Sequence, residues 1–420
     1  MGRRARRPAA PGRLGRPGRP APPTVTRAVT ASAPGKLILF GEHAVVYGRP
    51  ALVAAVDLRL IARLAAGAGP AGPDAAVRLR VPQLGLDERT TWAEVVAYAR
   101  ERRELWHEWA ERRRAAVLGP GPGAAAPRFA PSGPGDAAHV LAVALGEAAT
   151  ALGEGAGPPL ELDVTSELPV GAGFGSSAAA AVAVVAGYLT LAGAEPSAAE
   201  LCRIALEVER RQHGLPSGVD AATVLHGGVL WAERRGEEPG TPPVLVPLPA
   251  ADRPGGRALL GGLAVFDSGP PAETTGAVVA AVRERAAEEP DRYEALWDRI
   301  EAATRGFRAL LEDEAGSPGE RTRRAVDLVR ECEAALEAAG VVPAPVVEAV
   351  RAVEASGGAA KISGAGSLAG PGGGTVLALH PDGPDALDGP ALSAGWTRRR
   401  VTLGGPGLLQ LDPHEPARVR

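Results

Sequence analysis

Apolar and polar positions along the chain change period several times, and each change predicts an element. The segment TRAVTASAPGKLILFGEHAVVYGRPALVAAVDLRLIARL sets short β-prone runs between glycine and proline, the pattern of strands joined by a tight loop. A charged stretch from Thr91 to Leu118 follows, with Trp92, Val95, Val96, Ala99, Leu105, Trp106 and Trp109 recurring at helical spacing. The glycine-proline run from Gly119 to Gly135 breaks that helix, and a second is predicted from Asp136 to Leu152. LELDVTSELP alternates like a half-buried strand. It delivers the chain into PVGAGFGSSAAAAVAVV, where a glycine loop meets a helix with almost no polar side chains. Ser176 and Ser177 open that helix. In the next one Leu201, Ala205, Val208 and Gln212 share a stripe, with Glu209 at its edge.

Beyond these, GVLWAERRGEEPGTPP reads as a strand and a polar turn, and a domain boundary is expected between Gly236 and Arg257. GGLAVFDSG is a buried-strand pattern. Helices are predicted over Thr274–Glu314, Gly319–Ala339 and Ala344–Ala355, then GAAKISGAGSLAGPGGGTVLALH as strand, second glycine loop and strand. No repeat of fixed period runs through the chain.

Composition narrows the function classes. The 420 residues, 45% of them hydrophobic, suffice for one large domain or two joined ones. A formal net charge of -3 singles out neither nucleic acid nor a membrane surface as partner, and no uninterrupted apolar run reaches the roughly 18 residues of a membrane span. Cys202 and Cys332 form neither a disulfide framework nor a metal-ligand pattern, so a cytoplasmic setting is expected. Residues 1–25 hold arginine, proline and glycine with no acid, which reads as a disordered tail outside the fold.

Four segments carry candidate chemistry. The loop Gly171, Ala172, Gly173, Phe174, Gly175, Ser176 can aim several backbone N–H groups at one point, and the helix dipole adds positive charge there. That describes a phosphate cradle; a flexible turn before a tightly packed helix is the alternative. Its spacing is neither that of a Walker A loop nor that of a dinucleotide-binding turn. Lys36 lies between Gly35 and an apolar strand, with Glu42 and His43 close behind in APGKLILFGEHAVVYG. A lone lysine there would be a surface charge, whereas three polar groups in one glycine-punctuated hairpin suggest a site. In ERRQHGLPSGVDAATVLHGG, Asp220 is either a helix N-cap or half of a carboxylate pair with Glu209. KISGAG, Lys361 to Gly366, is the second glycine loop.

APGKLILFGEHAVVYGRPAL, ELPVGAGFGSSAAAAVAVV, HGLPSGVDAATVLHGG and KISGAG…GGGTVLAL resemble the ordered motifs of the galactokinase, homoserine kinase, mevalonate kinase and phosphomevalonate kinase superfamily. GEHAVVYG is most similar to the mevalonate kinases. The resemblance implies an α+β, two-domain small-molecule kinase fold. Residues 26–240 would form a ribosomal-S5-like ATP-binding domain and residues 258–415 a ferredoxin-like one, with the active site in the cleft between them. It implies ATP-dependent phosphorylation of the 5-hydroxyl of mevalonate, with Asp220 as base and Lys36 lowering the hydroxyl's pKa. Mg²⁺ would be held by Ser177 and Glu209, the ATP phosphates by Gly171 to Ser176, and substrate by His43 and Glu42. A small-molecule partner is implied, with no nucleic acid and no membrane, and a homodimer is allowed. The motif GAGGGG is interrupted by Ser367–Pro371, the loop FDSGPPAETTGAVV lacks the basic residues common in animal mevalonate kinases, and Phe174 replaces a leucine.

Overall fold

In a computed structural model the protein is described over residues 27–118, 137–153, 155–169, 171–233 and 243–411. The expected tail at 1–25 and the break at 119–135 lie outside the described residues.

The long β1 (Ala28–Phe40) and β2 (Ala51–Ala66) pair antiparallel along most of their length. A one-turn helix at Ala44–Tyr47 fills the connection between them. A hairpin that the sequence pattern did not announce follows, β3 (Ala76–Val81) and β4 (Leu86–Thr91). Helices α1 (Trp92–Leu118) and α2 (Ala137–Ala151) then lead to β5 (Leu160–Ser166), which pairs with β2 and runs parallel to β3. Next come α3 (Ser176–Leu191), α4 (Ala198–His213), α5 (Val219–His226), β6 (Val229–Glu233) and β7 (Val244–Pro247).

The first sheet has eight strands, ordered β12-β1-β2-β5-β3-β4, with β6 joining β2 and β7 joining β6; β12 is Leu409–Leu411 near the chain's end. Two strands therefore extend this sheet beyond residues 26–240: β7 follows that span at once, and β12 returns after the whole second half. The second sheet is antiparallel, ordered β11-β8-β10-β9, from β8 (Ala264–Asp267), β9 (Ala359–Ser363), β10 (Thr375–Leu379) and β11 (Thr397–Arg399). Between β7 and β8 lies α6 (Pro254–Gly261). After β8 the chain forms α7 (Thr275–Glu288), α8 (Pro290–Glu312), α9 (Pro318–Ala338) and α10 (Ala344–Ala355), and α11 (Asp388–Ser393) follows β10. The single helix expected over Thr274–Glu314 is thus two. Pro290, which lacks the N–H an interior turn needs, opens the second of them at its N-terminus.

Helix α3 explains its own composition. It lies across β1 and β2 between α2 and α4, with Ala178 to Tyr188 all buried. A Cβ at Gly187 would stand 2.4 Å from Cδ1 of Leu64, so only small residues allow this approach of helix to sheet. The two sheets share one continuous core. Phe40 packs on Phe307 of α8 and Tyr47 stacks on Trp297, both at 4.6 Å between ring centroids.

Candidate functional site

Lys36 and Asp220 meet. A register shift between Pro34 and Gly35 interrupts the pairing of β1 with β2, and the Lys36 N–H then donates to the carbonyl of Phe174 at 2.9 Å. The lysine stem runs beneath the glycine loop, and Nζ lies 3.0 Å from Oδ2 of Asp220. Lys36 is 6% exposed at the side chain and Asp220 35%, so the pair opens toward solvent on the carboxylate side. Asp220 is not a helix cap. Gly218 holds the N-cap position of α5 in a left-handed conformation (φ 77°), and the aspartate stands in the first turn.

Glu209, flanking the apolar stripe of α4, is buried, and its Oε1 accepts the Ala221 N–H at 3.0 Å. Burial, then the charge of Asp220, holds its carboxyl well above the usual range, with Lys36 opposing. A buried acid beside a second acid suits a divalent cation, whose charge would favour the ionised form. Among the described residues no three His, Cys, Asp or Glu side chains converge as a metal cage. Mg²⁺ requires none, because it is commonly held by one or two carboxylates plus substrate phosphates.

Gly171, Gly173 and Gly175 all have positive φ, at 75°, 88° and 71°. A Cβ at Gly175 would stand 2.8 Å from Cγ of Lys36, so the loop can lie on the lysine only as glycine. The carbonyls of Ala172 and Phe174 are engaged by Thr375 Oγ1 and the Lys36 N–H, and both side chains are buried. Gly175 caps α3 with no side-chain bond, leaving the first-turn amides, with Ser176 and Ser177 half-buried among them, suited to an anion.

His43 and Glu42 part company. His43 has φ 55°, the one positive value among the described non-glycine residues, which marks a conformation held by its surroundings. Its Nε2 lies 2.9 Å from the Ala365 carbonyl, and burial depresses its pKa. A neutral ring beside a carbonyl carries its proton on Nε2. Nδ1 is then an acceptor, and it is buried without a partner among the described residues. Glu42 departs from the expected place beside it. Its side chain has no exposure and pairs with Lys361, also fully buried. Its carboxylate is neutralised inside the protein, where it joins β9 to the loop after β1.

Three features escaped the sequence reading. Lys361 was visible within KISGAG, but nothing local announced Glu42 as its partner. Thr375, which holds the glycine loop from the second sheet, carried no signal beyond following a glycine run. Behind α5, Trp106 Nε1 donates to the Gly214 carbonyl at 2.7 Å while the buried Arg211 guanidinium lies over the same indole ring. These contacts brace the turn that carries Asp220.

The chain is similar to known kinases in sequence and in fold. The GHMP kinases N terminal domain family matches residues 138–228. The mevalonate kinase of Pyrococcus furiosus is 30% identical over 395 residues, covering 90% of this chain and 97% of that one. A solved Methanococcus jannaschii mevalonate kinase aligns at TM-score 0.63 with 16% identity, over 91% of this chain and all 100% of the other. An L. major mevalonate kinase solved with R-mevalonate aligns at TM-score 0.59 with 19% identity, over 91% and 97%. The two structures speak for the fold alone.

Proposed function

The chain belongs to the mevalonate kinase family, and from that premise we infer that it transfers the γ-phosphoryl group of ATP to the 5-hydroxyl of mevalonate. The observation that carries the reading is the 3.0 Å contact of Lys36 with Asp220, made directly against the glycine loop.

In this reading the hydroxyl proton passes to the Asp220 carboxylate as the oxygen bonds to the γ-phosphorus. The bond from that phosphorus to the bridging oxygen breaks, and ADP leaves. Lys36 offsets charge on the developing alkoxide and on the transferring phosphoryl group. Such a transition state asks for positioning and neutralisation more than covalent chemistry, and a base held against a lysine meets both needs. The amides of Gly171 to Ser176 hold the phosphates at the start of α3. Ser177 and Glu209 would hold Mg²⁺, which when bound would neutralise phosphate charge. The unpartnered Nδ1 of His43 accepts a hydrogen bond from a substrate hydroxyl. Glu42 acts behind that surface by fixing the backbone that carries His43. Cys202 and Cys332 are both free, in keeping with a cytoplasmic enzyme.

A coupled ADP-release assay across mevalonate, phosphomevalonate, galactose and homoserine tests the assignment. Mevalonate should give the highest kcat/KM; a clear preference for any other of the four removes it.

A further inference from the structure

The stretch Ser367–Pro371, which interrupts the second glycine loop, is built into the molecule. Ser367 has no exposure; its N–H donates to the Val341 carbonyl at 3.0 Å, and its Oγ donates to Oε2 of Glu273 at 2.6 Å. The Ala272 N–H donates to the same Oγ at 3.1 Å, and the Leu368 N–H reaches Oε2 of Glu273 at 3.0 Å. Glu273 belongs to FDSGPPAETTGAVV, the loop without the basic residues common in animal mevalonate kinases.

The same two loops stay joined further along. Gly372 bridges Pro271, the Gly373 N–H donates to Ser268 Oγ at 3.0 Å, and the Gly374 N–H donates to the Gly269 carbonyl at 3.0 Å. Just before the inserted residues, Gly366 packs against Val341 so closely that a Cβ would stand 2.1 Å from its carbonyl oxygen. Ala365, whose carbonyl receives His43 Nε2, is therefore held in a segment with little freedom.

We propose that the clasp between Glu273 and the inserted Ser367 and Leu368 is a positioning device: it fixes the Ala365 carbonyl, which fixes the tautomer and orientation of His43 toward substrate. Glu273 and Ser367 are positioning residues, acting through His43. The proposal rests on the reading of His43 as a substrate contact. The Glu273 carboxylate suits this role because a single Oε2 accepts both the Ser367 hydroxyl and the Leu368 amide.

Steady-state kinetics on Glu273→Ala, Glu273→Gln and a deletion of Ser367–Pro371 test it, with circular dichroism confirming the fold. Removing the acceptor in Glu273→Ala should raise KM for mevalonate about tenfold, with KM for ATP and kcat within about twofold. Glu273→Gln keeps an acceptor oxygen and should stay close to the parent. The deletion should behave as Glu273→Ala does. Equal or better activity on deletion, an equal rise in both KM values, or a Gln variant as impaired as the Ala variant would overturn the clasp. A second readout needs no turnover. Nitrogen-15 spectra of the His43 ring should show Nε2 protonated in the parent and a tautomer mixture in Glu273→Ala; unchanged spectra refute the proposal. Failure of the parent to phosphorylate mevalonate would fall on the assigned activity, while the ring spectra would still decide the clasp.

Discussion

Lys361 reaches from β9 to the loop after β1 and neutralises Glu42, and neither side chain keeps any exposure to solvent. The Lys361 ammonium also donates to the Ile362 carbonyl at 2.8 Å and lies 5.4 Å from the centre of the Phe40 ring. Breaking a buried pair strands its partner charge, which typically costs about 3–5 kcal/mol. Glu42→Gln and Lys361→Met should each lose stability on that scale in denaturant unfolding. The double variant should lose clearly less than the sum, and strict additivity would show that the two charges are not coupled.

Asp220→Ala should leave ATP affinity nearly unchanged while kcat falls by about 10²–10⁴, the usual contribution of a positioned base. Calorimetric ATP titration beside single-turnover kinetics separates the two effects. Undiminished turnover would remove Asp220 as the proton acceptor.

Gly175→Ala places a Cβ at 2.8 Å from Lys36 Cγ on a backbone with φ 71°. The left-handed conformation alone costs an alanine about 1–2 kcal/mol. The added methyl also displaces the lysine stem. Stability should fall by that amount, and kcat should fall further than stability explains because Lys36 leaves Asp220. A variant with parental kcat would show that the loop need not lie on the lysine.

Glu333 of α9 is fully buried; its Oε2 accepts the Ile362 N–H at 3.0 Å, and Oε1 has no partner among the described residues. Burial pushes its pKa up to about 8. Between the ordinary carboxylate range and that value, the folded state holds a proton that the unfolded chain has released. Its contribution to stability is thus complete at acid pH and is lost as pH rises toward 8, with a slope of up to about 1.4 kcal/mol per pH unit. Glu333→Gln keeps the acceptor for Ile362 and removes the titration. Melting temperature measured from pH 5 to pH 9 should decline less steeply in the variant than in the parent; parallel curves would exclude Glu333 as the source.

Much was legible along the chain because it depends on local physics. Strand alternation marked β5, a buried apolar run marked β8, helical spacing marked α1 and α4, and the glycines before Ser176 announced a loop that tolerates positive φ. Lys36, Asp220 and Glu209 could be singled out because acids and a lysine next to glycine turns are unusual in apolar surroundings. The hairpin of β3 and β4 went unseen because its second strand, LDERTT, is polar and half-exposed, so it shows no hydrophobic alternation.

The amino-acid sequence by itself determined the order of most elements, the two glycine loops, and which polar residues stood out as candidates. Tertiary structure alone decided which of those candidates meet. Glu42 and His43 are adjacent in the chain, yet one faces Lys361 in the core and the other faces Ala365, because each is claimed by a partner more than three hundred positions away. No local pattern encodes such a choice: charge neutralisation and hydrogen bonding across two sheets depend on distances that exist only once the chain has closed.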